Sequence, residues 1–346
     1  MKIAVAMSGG VDSSVVAGLM ARAGHEVIGI TLQLYDSGAA TSRKGACCAG
    51  QDIYDAKRVA DRLGIAHYVV DAEARFRKSV ISAFADSYAA GETPVPCIAC
   101  NQSLKFGDLL DMARDFGADA MATGHYVRRL DGPQGAEMHQ AVDANRDQSW
   151  FLFATTREQL DFCRFPLGSY ASKAEVREVA AEMGLIVAEK PDSQDICFVP
   201  NGSYAGIVEK FRPDALQTGD VVAEDGRVLG KHQGIARYTI GQAKRLPDAA
   251  AHMVVKKIDS ATRRIVVGPR GTQSTEILLR DVNWLVEPRE IRANAKLRAR
   301  DSAHPASIIP DGTGATLRLD EPALAAPGQA AVFYEGTRIL GGGFII

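Results

Sequence analysis

The sequence predicts an α/β protein: a parallel-sheet, Rossmann-like nucleotide domain, then a small linking domain and a C-terminal β-barrel. Three observations predict it. Short apolar runs alternate with helical patterns over the first 200 residues, the grammar of a parallel sheet covered by helices. A glycine–serine loop, Ser8-Gly9-Gly10-Val11-Asp12-Ser13-Ser14, sits between the first strand and the first helix. Beyond about residue 200, short β-rich runs separated by Gly, Pro and Asp take over.

In order, 2–7 reads as a buried strand, 13–23 as a helix closed by Gly24, 26–34 as a second strand, and 52–63 as a helix closed by Gly64. A third strand follows at 66–70. Helices are expected around 76–89 and 103–116, the latter closed by Gly117, and a further strand at 120–123. Ligands of such sheets bind beyond the carboxyl ends of the strands. The chemistry is therefore expected in the loops 8–13, 35–50 and 124–126. Downstream, the strand candidates are 219–222, 253–255, 264–269 and 329–334.

A length of 346 residues suits two or three domains, divided here as 1–200, 201–274 and 275–346. Composition is ordinary, with 46% hydrophobic and 24% charged residues, which excludes disordered and collagen-like classes. No apolar run is long enough for a membrane span. The N-terminus reads as a strand and not a signal peptide, so a cytoplasmic protein with no membrane partner is expected. Six cysteines, at 47, 48, 97, 100, 163 and 197, are too few and too clustered for a secreted disulfide framework.

In the glycine loop, two glycines let the backbone N–H groups turn inward, the serines add donors, and the helix N-terminus favours an anion. A pyrophosphate is the natural guest. The Gly-Lys-Ser/Thr ending of a Walker loop is missing, and so is the G-x-G-x-x-G fingerprint. The plainer reading is a glycine turn with an Asp–Ser helix cap. Asp12, repelled by phosphate, is expected to hold a magnesium ion. The heptad resembles the PP-loop of the ATP pyrophosphatase superfamily, whose members activate an oxygen by adenylation. That resemblance implies ATP as cofactor, with contacts from Ala6, Met7, Ser8, Gly9, Gly10, Val11, Asp12 and Ser13, from Leu32 ending strand two, and from Gly124.

Cys97 and Cys100 lie in Pro94-Val95-Pro96-Cys97-Ile98-Ala99-Cys100-Asn101, read as a proline-stiffened loop running into a helix. A thiol just before a helix N-terminus has its thiolate favoured, which makes Cys100 a candidate nucleophile; the alternative is a buried, inert thiol. Cys197, in Asp192-Ser193-Gln194-Asp195-Ile196-Cys197-Phe198, has no partner assignable from spacing. Cys163 looks like a core filler. Cys47 and Cys48 receive no role.

The chain resembles bacterial tRNA-specific 2-thiouridylases over essentially its full length. The matching segments are 8–14, the Cys-x-x-Cys-Asn loop with Lys105-Phe106-Gly107, Ala122-Thr123-Gly124-His125-Tyr126, Asp147-Gln148-Ser149, Asp192-Ser193 with Ile196-Cys197-Phe198, His232-Gln233-Gly234, Tyr238 to Gln242, and Pro327-Gly328-Gln329. The resemblance implies ATP-dependent 2-thiolation of the wobble uridine, position 34, of lysine, glutamate and glutamine tRNAs. In it, Cys100 is the nucleophile and Cys197 receives a persulfide from a sulfur-relay protein or cysteine desulfurase. The tRNA contacts it implies are Val95, Pro96, Cys97, His125, Arg146, Asp147, Gln148, Arg298 and Gln329. On residue chemistry alone, His125 serves equally as a cap of the strand end.

One departure stands out. Where the family often has Asn-Pro-Asp, this chain has Val95-Pro96-Cys97. Polar contacts to the target base at the first and third positions are thereby put in question. Cys97 also opens an alternative in which Cys97, Cys100 and Cys197 ligate a [4Fe–4S] cluster with one open iron.

In residues 291–300, basic and polar residues alternate with apolar ones. As a strand, this puts Arg292, Lys296, Arg298 and Arg300 on one face, read either as a solvated barrel face or as a seat for tRNA phosphates. The net charge of −2 hides such local charge: residues 231–270 alone hold nine Lys or Arg against two acids. Two other readings remain open: a PP-loop ligase acting on a small metabolite, and a nucleotide-dependent tRNA-binding or sulfur-carrier protein.

Overall fold

The computed structural model describes residues 1–34, 49–192, 196–199, 204–271 and 273–346. Cys47, Cys48 and most of the expected 35–50 loop lie outside the described residues. The chain divides into two compact units. One comprises 1–77, 97–200 and 336–339, and the other 78–96, 201–335 and 340–346.

The first unit is built on a five-stranded sheet of β1 (Lys2–Ala6), β2 (Glu26–Gln33), β3 (Ala66–Asp71), β4 (Ala120–Ala122) and β7 (Cys163–Arg164), ordered β3-β2-β1-β4-β7. Each neighbouring pair is parallel. The hairpin β5 (Val127–Gly132) and β6 (Gly135–Gln140) follows β4. Helices α1 (Val11–Arg22) and α2 (Ala49–Leu63) occupy the first two crossovers. The strand order reverses between β1 and β4, so the crevice beyond their carboxyl ends is the expected ligand position.

Ile3, Val5, Val11, Val15 and Val16 form one core with Val176 and Ala180. The latter two belong to helix α5 (Lys173–Glu182). Packing α5 against α1 brings the first residue of α5 beside the first turn of α1.

The cysteine segment differs from its expectation. Helix α3 (Pro96–Cys100) runs directly into a π-helical stretch, Asn101–Asp108, and then α4 (Leu109–Asp115). The helical run begins at Pro96, seven residues earlier than expected, because a fixed φ and missing N–H suit proline to the first helical position.

In the second unit, β8 (Gly219–Ala223), β9 (Val228–His232), β10 (Val254–Asp259) and β11 (Arg264–Gly268) form a sheet ordered β10-β11-β8-β9. The six strands β12 (Ser274–Trp284), β13 (Ile291–Lys296), β14 (His304–Asp311), β15 (Gly314–Ala323), β16 (Ala330–Glu335) and β17 (Arg338–Ile345) follow. They are ordered β12-β15-β14-β13-β16-β17, and pairing of β12 with β17 closes a barrel around Leu279, Ala295, Leu317 and Phe333. The basic strand ends at Lys296, so Arg298 and Arg300 lie in the turn beyond it. Arg292 is also not an unopposed cation: its guanidinium donates to both oxygens of Asp320, at 2.9 and 2.7 Å. The expected single face of four cations is therefore replaced by two strand residues, Arg292 paired with Asp320 and Lys296 donating to Ala299 O at 3.2 Å, and two arginines in the turn beyond.

Among the described residues, no helix is long and apolar enough to cross a membrane.

Candidate active site

The glycine loop lies between β1 and α1. Ala6 ends the strand. The buried Met7 donates its N–H to Ile30 O at 2.8 Å, and its carbonyl accepts from Thr31 Oγ1 at 2.8 Å. Gly9 has φ +75°, and a Cβ there would meet the Asp52 carbonyl. The turn therefore requires glycine. Ser8 is tied to Ser13, whose Oγ accepts the Ser8 N–H at 3.0 Å. The N-cap of α1 is Gly10, and no side chain caps the helix. The plainer alternative, an Asp–Ser cap, is not seen among the described residues, which leaves the first-turn N–H groups of Val11, Asp12 and Ser13 for an anion. On the facing loop, a Cβ on Gly124 would lie 3.0 Å from both Asp12 Cβ and Ser13 N. The β4 loop thus closes directly on the α1 start. Leu32 sits half-buried near the end of β2. These residues fit a nucleotide's phosphates.

Asp12 is held differently from its expectation. Lys173 Nζ donates to both carboxylate oxygens, at 2.6 and 2.7 Å, and Tyr126 OH donates to Oδ1 at 2.7 Å. Lys173 is buried and reaches Asp192 Oδ1 at 3.1 Å. Asp192 also accepts from Arg146 at 2.7 Å and Arg177 at 3.3 Å. Burial pushes the Asp192 carboxyl up, but the Lys173 and Arg146 contacts outweigh it and hold the group below its usual range. Beside the loop, Lys190 donates to Gly9 O at 2.9 Å, Asp52 Oδ1 at 2.8 Å and Asp55 Oδ2 at 2.5 Å. Both Asp12 oxygens face an ammonium, and no group of three His, Cys, Asp or Glu stands together among the described residues, so a magnesium ion here would be held by Asp12 together with the nucleotide's phosphates.

Sequence reasoning missed Lys173, Tyr126 as an Asp12 partner, and Lys190. Lys173 did leave a signal. It follows the Ser172 N-cap, where the helix dipole favours an acid, so a buried cation there needs carboxylate partners.

The cysteines are placed as follows. Cys97, Cys100, Cys163 and Cys197 carry no disulfide. Cys100 is the fifth residue of the helical run and buried, not a thiol preceding a helix. Burial pushes its thiol above the ordinary value, Lys105 opposes the shift, and Cys97 adds to it. The dipole-activated thiolate expected from sequence is thus corrected by burial. The next residue, Asn101, is buried and donates to Phe151 O at 3.2 Å, while its Oδ1 is buried without a hydrogen-bond partner. Cys97 is exposed, Pro96 buried and Val95 half-buried. Cys197 is exposed in a turn, next to Phe198, whose buried ring packs edge-on against Phe76 at 5.8 Å. Cys97, Cys100 and Cys197 do not converge as a ligand set, so they do not fit the alternative cluster. Cys163 is a core residue whose burial pushes its thiol to about 12.

His125 Nδ1 lies 2.9 Å from Thr123 Oγ1, and its ring is 5.7 Å from Phe106. Burial and then the Lys105 charge hold it well below its ordinary pKa, so it is neutral. Asp147 accepts from Ala141 N at 3.0 Å and Ser149 Oγ at 2.7 Å, and Gln148 Oε1 accepts from Tyr126 N at 2.9 Å. Both side chains shape the loop that carries Arg146. Gln329 Nε2 donates to Thr93 O at 2.8 Å.

Three family models match the chain: a tRNA methyl transferase HUP domain over residues 1–201, a tRNA methyl transferase PRC-barrel domain over 207–269, and an aminomethyltransferase β-barrel domain over 274–345. The tRNA-specific 2-thiouridylase MnmA of Acidiphilium cryptum is 68% identical, with all of both chains covered. That of Gluconobacter oxydans is 61% identical over 100% of this chain and 99% of its own. That of Paracoccus denitrificans is 56% identical over 99% of this chain and 91% of its own. With the phosphate loop, the cysteine helix and the Cys197 turn in one chain matched end to end, this protein belongs to the tRNA-specific 2-thiouridylase family.

Proposed function

We propose that this chain is a tRNA-uridine 2-sulfurtransferase that thiolates C2 of the wobble uridine of lysine, glutamate and glutamine tRNAs at the expense of ATP. The observation that carries the reading is the closure of Gly124 on Asp12 and Ser13, which puts an uncapped helix N-terminus at the switch point of a parallel sheet.

A pyrimidine C2 oxygen is a poor leaving group. It attacks the α-phosphorus of ATP, a bond to that oxygen forms, and pyrophosphate leaves. The loop N–H groups and Ser8 bear the phosphate charge, and Lys173, set between Asp12 and Asp192, supplies a cation at the same place. The terminal sulfur of a Cys197 persulfide then attacks C2 and AMP departs with the oxygen. Cys100 attacks the Cys197 sulfur, leaving 2-thiouridine and a Cys100–Cys197 disulfide that an external dithiol reduces. Alternatively, Cys100 first frees hydrosulfide from the persulfide, with the same disulfide as by-product. The persulfide comes from a cysteine desulfurase or sulfur-relay protein. The exposed Cys197 suits delivery of sulfur from such a partner, and the buried Cys100 suits a thiol that acts only at the reacting base.

The barrel from about residue 275 would take the tRNA, the segment 201–274 would link it to the 1–200 catalytic domain, and the enzyme would work in the cytoplasm. Arg146, His125, Arg298 and the 95–97 segment are the proposed tRNA contacts.

The deciding experiment is anaerobic thiolation of unmodified tRNA with ATP and a cysteine desulfurase supplied with cysteine, which delivers sulfur already at the persulfide level, with and without reconstituted iron, scored as 2-thiouridine by mass. An iron-independent product that needs ATP is expected. A methylated product, or pyrophosphate exchange indifferent to tRNA, would overturn the reading in favour of a methyl transferase or a small-metabolite ligase. Strict dependence on iron would replace the persulfide route.

A further inference from the structure

The segment Glu92-Thr93-Pro94-Val95 delivers the chain to Pro96, the first residue of the cysteine helix. Within the second unit, residues from the barrel hold it at both of its first two positions. Arg280 Nη2 donates to Glu92 Oε2 at 3.0 Å and Oε1 at 3.2 Å. Thr93 is gripped through its backbone: its N–H donates to Pro327 O at 2.8 Å, and its carbonyl accepts from Gln329 Nε2 at 2.8 Å. The turn between those two partners is Gly328, with φ +85°, and a Cβ there would lie 2.8 Å from Glu92 Cβ and 3.0 Å from Thr93 N. Only glycine lets the two backbones come this close.

An ion pair with Arg280 42% and Glu92 27% exposed contributes little to stability. The reach of one nitrogen, Nη2, to both carboxylate oxygens still orients Glu92 toward Arg280, whose Nη1 holds Asp281. From Thr93 to Cys97 the chain passes through Pro94 and Pro96, whose locked φ leaves little slack. Movement of Glu92 or Thr93 is therefore passed to the first turn of the cysteine helix.

The geometry points to Arg280 and Gln329 as positioning residues: they fasten the segment ahead of Pro96 to the barrel and so fix how the chain enters the cysteine helix. This rests on the function proposed above for Cys100. It also gives Gln329 a task other than touching tRNA, since an N–H of its amide is already committed to Thr93.

The test compares R280E, E92R, the swap E92R/R280E and Q329A with the wild type. Two readouts are followed: iodoacetamide alkylation of Cys100, located by peptide mass, and kcat and KM for tRNA in thiolation. R280A deletes the pair without adding a charge, and keeps the test open where charge reversal unfolds the chain. The single variants are expected to speed Cys100 alkylation about fivefold and to lower kcat about tenfold, with KM for tRNA within about twofold and the swap restoring both. Wild-type values in the single variants, or a swap that restores neither readout, would overturn the proposal. So would a raised KM at unchanged kcat, which would make Arg280 and Gln329 plain tRNA contacts. Absence of thiolation by the wild type would count against the proposed function, and the alkylation arm would still decide the clamp.

Discussion

Lys173 places its ammonium on both carboxylate oxygens of Asp12, at 2.6 and 2.7 Å, across 161 positions of sequence. It stands at the first turn of α5, where the helix dipole opposes a cation, and it is 8% exposed. The arrangement is costly unless the carboxylates compensate it. Removing Lys173 alone leaves Asp12 half-buried, with Tyr126 OH as its remaining side-chain donor among the described residues. K173M is expected to lose roughly 2 kcal/mol of stability, less than a fully buried pair because Asp12 is 32% exposed. The double variant D12N/K173M should recover part of that loss. Denaturant unfolding measures it. Pyrophosphate release with unmodified tRNA should fall about a hundredfold in K173M.

Asp192 carries the pH dependence of the same network. Its folded carboxyl is held below the ordinary value of 3.8 because the Lys173 and Arg146 contacts outweigh the opposing effect of burial. A depressed carboxyl contributes stability that is complete above its unfolded value and disappears as pH falls through the lower folded value. The difference in unfolding free energy between wild type and D192N should therefore be constant from neutrality down to about pH 4 and shrink below that. A difference that grows on acidification would contradict the assigned network.

The sheet and the phosphate loop were legible because their signals are local. Strands such as Lys2–Ala6 and Glu26–Gln33 are continuous apolar runs, and the helices end where expected at Gly24, Gly64 and Gly117, each with positive φ. The start of the cysteine helix was not legible, because Pro94 and Pro96 read as loop stiffeners while Pro96 in fact occupies the first helical position. Burial of Cys100 was hidden for the same reason, since a residue assigned to a loop is expected at the surface. The Lys173–Asp12, Arg292–Asp320 and Gln329–Thr93 pairs each join distant segments. Periodicity reports which face a residue is on, and says nothing of which residue from another strand or helix meets it.

Gly124 gives a sharp steric test of the loop closure. A Cβ 3.0 Å from both Asp12 Cβ and Ser13 N is tighter than most packed contacts, so the neighbouring backbone must give by a few tenths of an ångström, and the Ser13 backbone belongs to the helix start that is to bind phosphate. G124A should weaken ATP binding by about tenfold or more while leaving tRNA binding without nucleotide within about twofold. Titration calorimetry with a non-hydrolysable ATP analogue and filter binding with tRNA separate the two. Equal losses in both would mean that the β4 loop serves the whole unit and not the nucleotide.

Cys100 and Lys105 set a pH profile. Burial raises the Cys100 thiol above the ordinary 9.0 and the Lys105 charge opposes that rise. Alkylation of Cys100 in the wild type should therefore climb only at pH values above those of an ordinary thiol, and K105A should displace the profile further to the alkaline side. His125 moves in the same direction, because Lys105 also depresses its pKa. In K105A the imidazole should titrate at higher pH than in wild type, measurable by NMR. A Cys100 profile shifted toward acid in K105A would show that the Lys105 charge is not felt at the thiol.

Arg292 and Arg298 separate a paired cation from one placed for phosphate. Arg292 already gives a bidentate pair to Asp320. Neutralising a phosphate with it would mean breaking that pair, and little net charge would be gained. Arg298 lies in the turn after β13, half-buried at the end of the basic run. Each cation that neutralises one phosphate steepens the dependence of log K on log salt by roughly 0.7 to 0.9. R298A should therefore weaken binding of all substrate tRNAs alike and flatten that slope by about one contact, whereas R292A should leave the slope unchanged. A flattened slope in R292A would show that Asp320 releases its partner to the tRNA, and an unchanged slope in R298A would remove the turn from the interface.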